Sequence, residues 1–95
     1  FGLSVLEAMA CGAVPVVSSL ECFAELVEAN VNGYVFDHRS QSPVSELAGV
    51  LKTALGNREQ TQAMRSRCID TAKRHSYARI ADRFLKLFER VLGGL

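Results

Sequence analysis

Glu7 stands inside the segment Leu3 to Ala10, where Val5, Leu6, Ala8, Met9 and Ala10 surround it with apolar side chains. Read as a short helix, the segment is apolar over most of its circumference and is expected to be buried. An ionised acid rarely stays in such company unpaired. It needs either solvent at a cleft or strong hydrogen-bond donors. The plain alternative is an exposed Glu on the helix's one wet face. One turn earlier, Gly2 permits close backbone approach, and Leu3 and Ser4 present N–H groups at the helix start. The positive end of the helix dipole points the same way, so this is a place to hold an anion. The Ser4 hydroxyl could add a donor. The plain alternative here is a glycine turn followed by a Ser N-cap.

The other reactive residue types form no comparable constellation. Cys11, Cys22 and Cys68 are odd in number and include no C-x-x-C pair, which argues against a disulfide framework or a zinc site. Cys11 and Cys22 lie among apolar neighbours and read as small core residues. No base sits near them in sequence, as a catalytic thiol would need. Three free thiols suit a reducing, cytoplasmic setting. His38 and His75 show no metal-ligand spacing and read as surface or capping residues. Glu21, Glu25 and Glu28 read as a solvated face and a cap.

These residues must be placed by the elements around them. A first helix over about Ser4 to Cys11 is stopped by Gly12. Val14, Val16 and Val17 then form a short β-branched run suited to a strand buried on both faces. Pro15 cannot donate to a ladder and belongs at that strand's start. "ECFAELVEA", about Glu21 to Ala29, reads as a second helix, with Ser18 and Glu21 at capping-box spacing and Ser19 an equally good cap. Asn32-Gly33 ends it in a turn that places Gly33 at positive φ. Tyr34 to Phe36 form a second strand, closed by Asp37.

Ser42-Pro43 opens a third helix reaching about Leu55, with an apolar stripe of Leu47, Val50, Leu51 and Leu55. Gly56-Asn57 breaks it. A more polar helix follows over about Glu59 to Arg74, with Met64, Cys68, Ile69 and Ala72 on one face. Ser76 caps a last helix running to about Leu92 and ended by Gly93-Gly94. Its apolar set is Ile80, Phe84, Leu87, Phe88 and Val91. Arg79, Arg83, Lys86 and Arg90 lie largely elsewhere, as a solvated or partner-facing stripe that could also touch an anionic membrane. The alternation of helices and strands implies a parallel sheet with crossovers. Two strands are too few for an open α/β sheet, so further strands are expected upstream.

Composition bounds these readings. The chain has 95 residues, formal net charge +1, 48% hydrophobic and 22% charged residues. This is the profile of one globular unit of modest stability. Near-neutral charge gives no argument for nucleic acid. No stretch approaches the roughly 20 apolar residues of a membrane span. The apolar start lacks the basic leader of a signal peptide, and a start at Phe1 rather than Met suggests a fragment or processed piece.

"FGLSVLEAMACGAVPVVSS", followed by "ELVEANVNGYVF", resembles the C-terminal part of retaining glycosyltransferases of the GT-B fold, of the large family 4 type (glycosyl transferases group 1). The matching residues are Phe1-Gly2-Leu3, Glu7-Ala8-Met9-Ala10, Gly12, Pro15-Val16-Val17, Glu25-Leu26-Val27 and Asn32-Gly33. The match covers about the first 36 residues; the later helices fit in layout alone. Ala13-Val14 adds a residue to the common G-x-P spacing. "LECF" at Leu20 to Phe23 replaces a frequent G-G-x-P, in a loop near the sugar end of the family's site.

The resemblance implies an incomplete Rossmann-like domain in which residues 1–37 form an α/β nucleotide-sugar-binding portion and 43–92 the C-terminal helices. It implies donor binding by Gly2, Leu3, Ser4 and Glu7, with diphosphate at the N–H groups and Glu7 on the ribose hydroxyls. The donor would be a substrate such as a UDP- or GDP-sugar, with no further cofactor and no obligatory metal. The first Glu of the family's E-x7-E pair falls upstream of Phe1, so no catalytic residue is expected in this chain, and the chain alone is expected to be inactive. The missing partner is an N-terminal acceptor domain. The rival reading is a non-catalytic α/β interaction or assembly fragment, self-associating through an exposed sheet edge. A dinucleotide-dependent oxidoreductase is disfavoured, because no G-x-G-x-x-G follows a strand.

Overall fold

The computed structural model describes residues 2–93 and runs α1 (Leu3–Ala10), β1 (Val16–Ser18), α2 (Glu21–Ala24), β2 (Tyr34–Phe36), α3 (Pro43–Gly56), α4 (Arg58–Arg74) and α5 (Tyr77–Gly93). Phe1 of the Phe1-Gly2-Leu3 match and Gly94 of the closing Gly93-Gly94 pair lie outside the described residues. The fold is α/β, with two parallel strands in register Val16↔Tyr34, Val17↔Val35 and Ser18↔Phe36. It agrees with a partial Rossmann-like domain.

Gly12 stops α1 through its backbone freedom. It takes φ +81°. Its N–H bonds the Met9 carbonyl at 2.9 Å, and the Ala13 N–H bonds the Ala8 carbonyl at 3.0 Å. That pair of bonds is a Schellman turn, which needs a residue comfortable in the left-handed region. Pro15 sits just before β1, where its lack of an N–H does no harm, and its carbonyl accepts from the Tyr34 N–H at 2.9 Å. The strand accordingly starts two residues later than the valine run suggested.

The second helix departs most from expectation. It ends at Ala24 rather than Ala29, and its N-cap is Leu20 with no side-chain cap bond. Neither Ser18 nor Ser19 caps it; Ser19 Oγ instead donates to Asp37 Oδ1 at 3.4 Å. The turn residue at positive φ is Asn30, at +64°, and not Gly33. Gly33 is required for space instead. A Cβ there would lie 2.7 Å from Val27 Cγ1 and 2.9 Å from the Pro15 carbonyl oxygen.

Asn32 explains why the helix stops. Its side-chain NH₂ donates to the Leu26 carbonyl at 2.8 Å and to Thr71 Oγ1 at 3.0 Å. Its Oδ1 accepts the Glu28 N–H at 2.8 Å. A backbone carbonyl and an N–H that a longer helix would use are thus committed to one buried amide, which also ties the loop to α4. Cys68 completes the knot, its thiol donating to the Asn32 carbonyl at 3.0 Å.

The core gathers Leu6, Met9, Val17, Leu26, Val27, Cys68 and Ala72 between α1, the strands and α4. Met9, Leu26, Met64 and Cys68 are fully enclosed. Burial of a side chain of Leu or Met size contributes about 1.5–3 kcal/mol, so these few positions carry much of the fold. Cys11 and Cys22, expected in the core, are exposed. They fall where α1 ends and on the outer side of α2, and neither surface is covered. On α3, Leu55 is 76% exposed and Leu51 is also exposed, so the end of its expected stripe lies open. In the apolar set of α5, Ile80 is half-buried while Phe84, Leu87, Phe88 and Val91 are uncovered, with Phe84 and Phe88 stacked on one another at 6.5 Å. Ser76 does cap α5, accepting the Arg79 N–H on Oγ at 3.3 Å.

Candidate functional site

The chemistry-bearing helix α1 is less buried than its composition suggests. Leu6 and Met9 are its buried residues, while Leu3, Ser4, Glu7, Ala8 and Ala10 are exposed. The reason is geometric. Positions 6 and 9 lie on one stripe and are buried, and among the described elements α4 packs on α1 most extensively. Glu7 therefore meets solvent, as a carboxylate must when no cation holds it.

The leading end of α1 has the features an anion needs. Gly2 is the N-cap, no side chain caps the helix, and the first turn contains no acidic residue. The first N–H groups of a helix lack intrahelical acceptors, and the dipole adds about half a positive charge there. Ser4 is a helical residue rather than the N-cap, so its hydroxyl is not occupied in capping. Gly2 is also closely packed, because a Cβ there would lie 3.1 Å from the Phe23 ring.

Glu7 borders a hollow of about 340 Å³ shared with Ile69, Lys73, His75, Ser76 and Tyr77. Its Oε1 accepts a hydrogen bond from the Tyr77 hydroxyl at 3.3 Å. A second hollow, of about 500 Å³, opens beyond the end of β1, lined among others by Ser18, Phe23, Glu25, Glu28 and Arg74. Gly2, Leu3 and Ser4 line neither hollow. The four residues singled out by sequence thus share one helix, with Glu7 in the turn after Leu3 and Ser4. Gly2 lies close to Phe23 and Leu26, and Glu7 is brought against residues about seventy positions away.

Sequence reasoning missed Lys73 and Tyr77. Tyr77 follows directly on the Ser76 cap, which was a local signal for a helix start. Nothing in local spacing connects it to a carboxylate seventy positions away. Glu21, Glu25 and Glu28 are exposed, as a solvated face requires. His75 closes α4, its N–H bonding the Thr71 and Ala72 carbonyls at 3.2 Å each. Burial pushes the Cys68 thiol above its usual 9.0, offset in part by a backbone hydrogen bond. That thiol is a packed core group, not a nucleophile. Among the described residues no cluster of His, Cys, Asp and Glu could hold a metal ion, and no helix is long and apolar enough to cross a membrane.

Comparison with known proteins bears on this geometry. The family described as "Glycosyl transferases group 1" matches residues 1–75. The chain is 32% identical over 93 residues to the GDP-mannose:cellobiosyl-diphosphopolyprenol alpha-mannosyltransferase of Komagataeibacter xylinus. That alignment covers 98% of this chain and 23% of the relative, so the chain spans about a quarter of the relative's length. No solved structure gives a significant match.

Proposed function

Because the chain belongs to the glycosyl transferases group 1 family, we propose that it forms part of the donor side of a retaining glycosyltransferase that uses a nucleotide-sugar. The nucleotide's diphosphate sits at the leading end of α1, on the N–H groups that follow Gly2, with the Ser4 hydroxyl as a further donor. Glu7, one turn on, accepts the ribose hydroxyls. In the reaction the bond between the sugar's anomeric carbon and the diphosphate oxygen breaks. The nucleoside diphosphate leaves with the bonding pair and takes up the proton of the acceptor hydroxyl, whose oxygen bonds the anomeric carbon on the same face of the sugar. Negative charge grows on the departing diphosphate, where aligned backbone N–H groups stabilise it.

The observation that carries this reading is the placement of Glu7. It is an exposed carboxylate, in the turn after an uncapped helix start, at the rim of a hollow. The relative's name makes GDP-mannose the first donor to test. The catalytic Glu that the family resemblance puts upstream of Phe1 is not among these residues, and the chain alone is inactive on this reading.

Calorimetric titration of the full-length protein carrying this chain, with GDP-mannose and a UDP-sugar, tests it. Glu7→Gln is expected to weaken donor binding about tenfold, since a hydrogen bond to a charged group contributes about 1.5–3 kcal/mol. Activity should fall mainly through a raised donor KM. Donor affinity unchanged by Glu7→Gln contradicts the ribose assignment. Self-association with no nucleotide-sugar binding favours an assembly fragment instead.

A further inference from the structure

The bond between Tyr77 and Glu7 links the first residue of α5 to the middle of α1. We infer that Tyr77 is a positioning residue for the donor-binding carboxylate, a reading that rests on the ribose role proposed for Glu7. A glutamate on an exposed helix face samples several rotamers, and a ligand that needs one of them must overcome that freedom on binding. Tyr77 removes part of it in advance. Its hydroxyl holds Oε1 at 3.3 Å.

A carboxylate has two oxygens with about four acceptor sites. One bond from Tyr77 therefore leaves Oε2, and part of Oε1, for a vicinal diol. The holder is itself anchored. Ser76 caps the helix by accepting the Arg79 N–H on Oγ at 3.3 Å and the Ile80 N–H on its carbonyl at 2.9 Å. Tyr77 has only two side-chain torsions, so little freedom is left between that cap and its hydroxyl. Lys73 and His75, from the end of α4, border the same hollow. The corner between α4 and α5 thus frames the acid on the side away from the α1 leading end.

The test compares wild type, Tyr77→Phe and Glu7→Gln in the full-length protein carrying this chain. The probes are GDP and 2′,3′-dideoxy-GDP, with the uridine pair run in parallel, and the readout is Kd by calorimetry. Tyr77→Phe removes one oxygen from a side chain that is 64% exposed, so the melting temperature should stay at the wild-type value. We expect it to weaken binding of the ribonucleotide about fivefold, the effect of one hydrogen bond of ordinary net strength. The penalty should vanish for the dideoxy probe, which offers Glu7 no hydroxyls to bind. A change in packing alone would weaken both probes equally.

Equal weakening of both probes, or no weakening of either, overturns the role of Tyr77. If Glu7→Gln weakens the ribonucleotide while Tyr77→Phe does not, only the positioning role is lost. If Glu7→Gln leaves ribonucleotide binding intact, the ribose assignment fails and the positioning role fails with it.

Discussion

Replacing Asn32 by alanine should cost this fold more than any substitution on its surface. Asn32 is 6% exposed, and its amide makes three bonds of 2.8, 3.0 and 2.8 Å. Alanine leaves the Leu26 carbonyl and the Glu28 N–H without those partners. Leu26 is 2% exposed, so no water replaces the lost donor, and a buried unsatisfied group costs about 1–3 kcal/mol. Glu28 is exposed, so water reaches its N–H and the loss there is smaller. Thr71 keeps a partner in Arg74, whose guanidinium donates to Oγ1 at 3.2 Å.

Together these give about 2–4 kcal/mol, against roughly 5–15 kcal/mol for a whole domain. At about 4–8 °C per kcal/mol for a chain of this size, the melting temperature should fall by roughly 8–32 °C. Urea unfolding followed by far-UV circular dichroism measures the loss directly. Thr71→Val should cost about 1 kcal/mol alone. The double variant should cost less than the two together, because both singles break the same 3.0 Å bond. A loss under about 1 kcal/mol for Asn32→Ala, or strict additivity with Thr71→Val, refutes the account of Asn32 as the tie between loop and helix.

Three further outcomes follow from the same packing. Gly33→Ala should destabilise by about 1–3 kcal/mol in the same assay, since the new methyl meets Pro15 backbone as well as Val27. In the native protein a thiol reagent should modify Cys11 and Cys22 quickly and Cys68 only on unfolding; fast loss of all three thiols contradicts the burial of Cys68. The raised Cys68 pKa means that the folded state holds its proton more tightly than the unfolded chain does. Stability from this group is therefore complete below the ordinary thiol value of about 9.0 and is lost as pH rises past it, a slope that Cys68→Ala should remove.

Much of the local structure was legible in the sequence. Gly12 as a helix stop, Pro15 at the edge of a strand, Ser42-Pro43 and Ser76 as helix starts, and the Met64, Cys68 and Ala72 face of α4 all follow from rules spanning a few residues. The resemblance running from Phe1 to Phe36 carried the family. Where the reading failed, a distant partner had decided. "ECFAELVEA" has helical composition, but the Asn32 amide takes the Leu26 carbonyl and the Glu28 N–H, and Thr71 holds that amide from α4. Asn-Gly looked like a turn needing positive φ at Gly33. The glycine is there because Val27 and Pro15 leave no room for a Cβ.

The candidate site divides in the same way. Gly2, Leu3, Ser4 and Glu7 lie within two helical turns, and helix geometry alone sets their order along the face. Their types and spacing sufficed to suggest an anion at the helix start and an acid in the next turn. The exposure of that acid, the hollow beside it and its bond to Tyr77 depend on how α1 lies on α4 and where α5 begins. Those are contacts between residues about seventy positions apart. Hydrogen bonds within a helix repeat every few residues and are written in local sequence, whereas the meeting of two helices is settled by which apolar faces bury each other.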